Sequence, residues 1–307
     1  MTLFLLTILC FGLASEAQAQ QIEDSRDLMG TRFRVVVEAG GDTTAARTAM
    51  DQAFARLSEL EATFSDFHPE SEVSRLASTG VLNASADLLT LLETSRFIHQ
   101  TTGGAFDITV GNLTRLWRRA IRRGTLPTNV EVAEASRMSG WSHVERDGSV
   151  VRVTDGVRLD FGGIAKGYAA DQALMALAAE GFPVALVDAG GDISAGKAPQ
   201  GGWTVALPDG SAQFLENGSV ATSGDVYRHV NVDGRRYSHI LDPATGMGMT
   251  DRRTVTVVAA SGTIADALAS AFTVLPVDQI PAIVQSLGVS VYIERSEGPS
   301  LEFHPES

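Results

Sequence analysis

Apolar residues recur along this chain in two rhythms. In residues 43–64, Met50, Ala53, Phe54, Leu57 and Leu60 follow one another at the spacing of a single helical face. The rhythm returns in residues 85–99, where Leu88, Leu91 and Leu92 point inward and Ser85 stands where a helix is capped. Further helices are predicted over 110–122, 164–179, 263–275 and 277–287. Alternation with a period of two marks 31–38 as a strand. Other strands are predicted at 150–153, 157–161, 184–188, 203–207, 229–232, 254–260 and 289–294. Residues 20–27 are polar and read as loose. Several predicted strands succeed one another with no helix between them. That favours an α+β fold of antiparallel sheets with packed helices over a doubly wound one.

Composition adds a compartment. Of 307 residues 44% are hydrophobic, enough for a sizeable core, and neither repeats nor low-complexity tracts interrupt them. The apolar run at residues 3–13 is shorter than the ~20 residues a membrane-spanning helix needs. No Lys or Arg precedes it, but Ala17-Gln18-Ala19 after it has the small-x-small form of a signal-peptidase site. Residues 1–19 are therefore expected to be a cleaved signal peptide, with residues 20–307 a single periplasmic domain. The only cysteine, Cys10, lies inside the signal and follows the bulky Leu9, so no lipid anchor is expected. Without Cys10, disulfides, cysteine nucleophiles and thiolate metal sites drop out together. A net charge of −13 argues against a nucleic-acid partner. The one dense basic run (Arg115, Arg118, Arg119, Arg122, Arg123) reads as a solvated helix face.

Glycine and acid gather in five segments at the ends of predicted elements: 103–107, 160–167, 188–192, 219–225 and 239–246. Glycine admits a ligand close to the backbone, so the set suggests a ligand cleft. The sharpest is Asp160-Phe-Gly-Gly-Ile-Ala-Lys166-Gly. There a strand is expected to end in an acid, two glycines turn the chain, and a helix starts with Lys166 in its first turn, an arrangement suited to phosphate. No Gly-x-Gly-x-x-Gly occurs. A near P-loop at residues 191–198 fails because Ala198 stands where a hydroxyl should be. A zinc helix and a Gly-x-Ser-x-Gly elbow are also missing. Asp266 and Ser270 lie four apart in an apolar helical segment and so face one side. That pair suits a hard cation such as Mg2+, or equally a capping carboxylate and a helix-packing hydroxyl.

Met29-Gly-Thr31, Phe64-Ser-Asp-Phe67, Gly104-Ala-Phe-Asp107, Asp160 to Gly167, Asp188-Ala-Gly-Gly-Asp192, Tyr237-Ser-His-Ile-Leu-Asp-Pro243 with Thr245-Gly246, and Ala265-Asp-Ala-Leu-Ala-Ser270 occur together and in order. Across about 27–291 the chain resembles the ApbE family, the FAD:protein FMN transferases of bacterial envelopes. The resemblance implies an α+β, T-fold-related architecture and an enzyme acting on FAD as substrate. Met29, Phe67, Ala105, Phe106, Asp107, Asp160, Lys166 and Leu241 match positions that contact FAD in the family. Mg2+ would be held by the Gly163 carbonyl and the side chains of Asp266 and Ser270. The last is usually threonine; serine keeps the hydroxyl but loses the β-branch that fixes its rotamer. His239 matches the histidine that deprotonates the acceptor, a task suited to imidazole. Asn112 replaces a common proline, a change expected to have little effect.

What the resemblance implies is transfer of FMN from FAD to a Ser or Thr hydroxyl of an acceptor, a respiratory or electron-transfer protein, with loss of AMP. Two alternatives stay open at this point: an FAD pyrophosphatase yielding free FMN and AMP, and a non-catalytic envelope carrier of FAD.

Overall fold

The structure, a computed structural model, describes residues 20–207, 210–224 and 229–306. The expected signal at 1–19 and Asp225 of the fourth glycine-acid segment lie outside the described residues.

The main sheet has eight strands among the described residues, and they follow one another across it in chain order. They are β1 (Gln21–Leu28), β2 (Thr31–Glu38), β3 (Ala185–Ala189), β4 (Ile193–Ala195), β5 (Gly218–Ser223), β6 (Arg253–Ala259), β7 (Ser290–Arg295) and β8 (Leu301–Phe303). Every neighbouring pair is antiparallel. Period-two alternation sorts the side chains to the two faces. Phe33, Val35 and Val37 of β2 join Val187 of β3 in the large core, while Val36 and Leu186 turn to a smaller cluster on the opposite face. That second face is covered by the hairpin of Trp203–Ala206 and Ala212–Leu215, through Trp203, Val205 and Leu215.

The helices are α1 (Thr43–Phe64), α2 (Glu72–Thr79), α3 (Ala86–Thr101), α4 (Gly111–Arg123), α5 (Asn129–Arg137), α6 (Ala165–Ala179), α7 (Gly262–Phe272) and α8 (Ile280–Leu287). In the large core α6 packs on α1, α7 and β3, and α7 packs on β5 and β6. The Arg56 guanidinium of α1 donates to Asp87 of α3 (2.8 Å) and Gln172 of α6 (2.9 Å), tying three helices together.

Four sequence expectations need correction. Residues 20–27 are not loose: β1 pairs with β2 along its whole length through a turn at Met29 and Gly30, both at positive φ (51° and 75°). Its polar sequence suits a sheet edge, where backbone bonds hold the strand and only Ile22 is buried. Residues 157–161 alternate as a strand should, with Val157, Leu159 and Phe161 buried, yet they join no sheet. They run against the start of α4, Asp160 N–H donating to the Ile108 carbonyl at 2.7 Å. The helix expected to reach residue 275 ends at Phe272, and that expected at 277–287 starts as a 3-10 turn (Val277–Gln279) before Pro281 opens α8. Helix α5 went unread although Thr128 and Glu131 form its capping box.

Candidate active site

Two cavities meet between the sheet and the helices. One, of about 490 Å³, is lined by Ala105, Phe106, Asp107, Gly163, His239, Leu241, Asp266 and Ser270. The other, of about 690 Å³, is lined by Met29, Phe67, Ala189 and Gly190. Arg118, Asp160, Gly162 and Lys166 line both. Each of the five glycine-acid segments thus reaches one cavity or the other, and so does every site residue named from the sequence.

The cleft depends on how closely α6 and α7 approach. A Cβ on Gly167 would overlap the Gly262 carbonyl, so both positions have to be glycine at this crossing. The start of α7 has no cap of its own. Asp171 of α6 supplies one, accepting from Ser261 Oγ (2.8 Å), Gly262 N (2.8 Å), Thr263 N (2.9 Å) and Thr263 Oγ1 (2.7 Å). Sequence reasoning passed over Asp171, and no local signal marks it, because it caps a helix some ninety residues further on.

Asp266 projects from this anchored helix into the cleft floor, 5% exposed, and its Oδ2 accepts from Gly167 N at 3.1 Å. Lys166 Nζ donates to Asp192 and lies 3.7 Å from Asp266 Oδ1. Asp192 in turn accepts from Thr222 N at 3.1 Å. Burial pushes the Asp266 carboxyl up to about 6; Lys166 opposes that shift and Asp192 adds to it. Burial alone would lower Lys166, but Asp266 and Asp192 outweigh it and raise the ammonium above its ordinary value. Lys166 is therefore not the lone point charge expected from the sequence. One cation stands between two carboxylates, leaving net negative charge in the cleft floor. The turn before α6 is also less open to an anion than expected: Gly162 N donates to Asp160 (2.8 Å) and Ala165 N to the Phe161 carbonyl (2.9 Å).

Among the described residues no group of three or more His, Cys, Asp and Glu is placed to hold a metal. The oxygen set expected for Mg2+ has a single carboxylate and is drawn together. A Cβ on Gly163 would lie 2.9 Å from Ser270 Oγ, and Ser270 shares one helix face with Asp266. A buried carboxylate whose charge Lys166 only partly balances, a hydroxyl and a carbonyl fit a hard cation that takes its other ligands from phosphate and water.

The remaining walls come from α4 and a small hairpin. Thr114, Trp117, Arg118, Ile121 and Arg122 lie along one face of α4 and line the smaller cavity. Arg118 is not merely solvated, as its basic run suggested. It pairs with Asp66, lies 3.6 Å from Asp160 and sits 4.9 Å over the Phe67 ring. The i, i+3, i+4 spacing of these five residues was the legible signal. His239 follows the hairpin of His229–Val232 and Arg235–Ser238. Its neighbours are fixed: Ile240 N donates to Ser238 Oγ (3.0 Å) and Met249 N to the Ile240 carbonyl (2.9 Å). Trp117 Nε1 donates to the Gly246 carbonyl at 2.9 Å and so joins that segment to α4. Asp107 turns inward, accepting from Thr109 N (2.8 Å) and Oγ1 (2.7 Å). Asn112, in place of a proline, donates to the Gly156 carbonyl at 2.9 Å.

An antiparallel meander whose connections enclose a two-lobed cleft, floored by a half-buried lysine and two buried carboxylates, defines an α+β enzyme for a large polar ligand. Comparison with known proteins says which. The ApbE family profile matches residues 29–293, and the chain belongs to that family. The FAD:protein FMN transferase of Treponema pallidum is 30% identical, the match covering 92% of this chain and 86% of that relative. A mutant of the flavin transferase ApbE from Vibrio cholerae superposes with a TM-score of 0.85 at 26% identity, covering 94% of this chain and 98% of that one. The apo flavinyl transferase ApbE of Pseudomonas stutzeri gives 0.83 at 28%, covering 94% and 95%. Both share the mixture of helices and antiparallel sheet found here.

Proposed function

We propose that the chain is a Mg2+-dependent FAD:protein FMN transferase that moves the FMN moiety of FAD onto a Ser or Thr hydroxyl of an acceptor protein. The observation that carries this reading is the pair of cavities joined at Lys166, Asp160 and Arg118. A dinucleotide has that form, two ring systems linked by a charged pyrophosphate. Phe67, which is 74% exposed, offers a ring to one end, and Phe106 with Leu241 lines the other cavity.

His239 accepts the proton of the acceptor hydroxyl. The hydroxyl oxygen then forms a bond to the FMN phosphorus while the bond from that phosphorus to the bridging pyrophosphate oxygen breaks, and AMP leaves. Asp266, Ser270 and the Gly163 carbonyl would hold Mg2+, which when bound supplies positive charge for the phosphates. Lys166, kept charged by its two carboxylates, orients the pyrophosphate at the wall between the lobes. Substitution at phosphorus depends mainly on positioning and electrostatics, so no protein nucleophile is needed. The apolar run at residues 3–13 supports export, with the reaction in the periplasm; the family resemblance points to an acceptor among respiratory or electron-transfer proteins. No helix of the described residues is long and apolar enough to cross a membrane.

The test is to incubate residues 20–307 with FAD and Mg2+, with and without a candidate acceptor domain, and to weigh every product. The acceptor should gain FMN less water as AMP appears, and His239→Ala should stop transfer while FAD still binds. Free FMN and AMP beside unmodified acceptors would point instead to a pyrophosphatase, and intact FAD throughout to a carrier.

A further inference from the structure

A third cavity, of about 400 Å³, lies beside the reaction centre and shares Phe67 and Arg118 with it, while Arg115, Arg119 and Arg158 in its wall have no role in the reaction described above. Arg115, Arg119, Arg122 and Arg158 line it, and none of the four is in an ion pair among the described residues. Arg115, Arg119 and Arg122 are exposed side chains of α4; Arg158 is half-buried on the extended segment beside them. Their convergence is built by the backbone. A Cβ on Gly111 would stand 2.5 Å from the Arg158 carbonyl oxygen, so glycine at the head of α4 lets the two segments touch. Burial, and then the charge of Arg115, push Arg158 below the ordinary guanidinium range. Among the described residues three acids lie nearby without forming an ion pair with these arginines. Asp66 pairs with Arg118 while its charge also acts on Arg158, and Glu131 caps α5 by accepting from Thr128 N at 2.8 Å while Arg119 acts on it. Glu134 shares a groove with Arg115, Arg119 and Arg158 on their other side.

Four unpaired arginines around one hollow are out of keeping with a chain whose net charge is −13. An acidic protein would be repelled over most of this surface and attracted here. The hollow is also continuous with the cleft, sharing Arg122 with the cavity of His239 and Asp66 with that of Met29. A protein substrate reaching the His239 cavity would cross α4 to leave it. We propose that this arginine hollow is a docking site for an acidic segment of the acceptor protein. The inference rests on the reading that the FMN acceptor is a protein.

The test uses residues 20–307 and a double variant, Arg115→Gln with Arg119→Gln, at two exposed positions outside the reaction centre. The probe is a fluorescein-labelled peptide of eight alternating Asp and Glu residues, read by anisotropy against an Asn/Gln peptide of equal length. The acidic peptide should bind better than the neutral one, weaken with added salt, and lose at least about fivefold in affinity in the double variant. The reversal Arg115→Glu with Arg119→Glu should exclude the acidic peptide and admit a Lys octapeptide, which a merely misfolded protein would not do. Equal peptide binding by wild type and the double variant would overturn the proposal. So would charge-dependent binding of inorganic phosphate, or of phosphatidylglycerol vesicles, without peptide binding. FMN transfer from FAD with Mg2+ to a Ser/Thr-containing acceptor domain is followed in parallel. Peptide failure with intact transfer sinks this inference alone, whereas absent transfer by the wild type sinks the functional reading and leaves the peptide result standing.

Discussion

Asp266 sits where burial opposes its charge, and a single lysine shared with Asp192 does not fully relieve it. The sign of the pH effect follows. With its folded pKa raised to about 6, above the ordinary 3.8, ionisation of Asp266 costs nothing below pH 4 and destabilises the metal-free fold increasingly as pH rises toward 6. Urea unfolding in chelator should therefore show wild-type stability falling between pH 4 and 6 relative to Asp266→Asn, whose uncharged amide has no such penalty. A cation on Asp266 would reverse the preference, so Mg2+ should stabilise the wild type at pH 7 and leave Asp266→Asn unmoved. Equal metal shifts in both would remove Asp266 from the proposed Mg2+ site. Sequence spacing alone placed Asp266 and Ser270 on one helix face. It could not disclose that Lys166 arrives already paired with Asp192, because that contact joins a helix start to a turn between two strands.

At the scale of elements, the site depends on α7 being held at a fixed height against α6. Asp171 makes four bonds to the start of α7, all of them charge-assisted. Asp171→Ala should cost about 1–2 kcal/mol in chemical denaturation. It should also raise the Mg2+ concentration needed for half-maximal FAD turnover, since Asp266 and Ser270 ride on that helix; an unchanged Mg2+ requirement would separate the cap from the site. Gly167→Ala forces the crossing apart and should cost roughly 1–3 kcal/mol with a comparable loss of turnover. Both effects escape a reading by periodicity. Helix α7 was legible because its apolar face is continuous, whereas its cap comes from another helix. Residues 157–161 show the converse, a true alternation of buried and half-buried positions produced by a wall of helices and not by a sheet.

Over the whole molecule, the eight main strands lie side by side in chain order while most of the site segments occupy the connections between them, Thr222 and Ser223 entering from the end of β5. The glycine-acid segments were readable because each needs its small residues locally. Their convergence was not, since neighbouring strands β2 and β3 are separated by nearly 150 residues carrying six of the eight helices. The same arrangement divides the cleft into two lobes with a common wall, and that has a kinetic consequence. On the proposed placement of FAD across both lobes, its AMP and FMN halves each need only one, so AMP and FMN should each compete with FAD yet occupy the enzyme together. In a double-inhibition plot the lines for the two should intersect, the mark of inhibitors that do not exclude one another. Parallel lines would mean that the lobes act as one site, and the enzyme would then have to discharge one product before the other could remain bound.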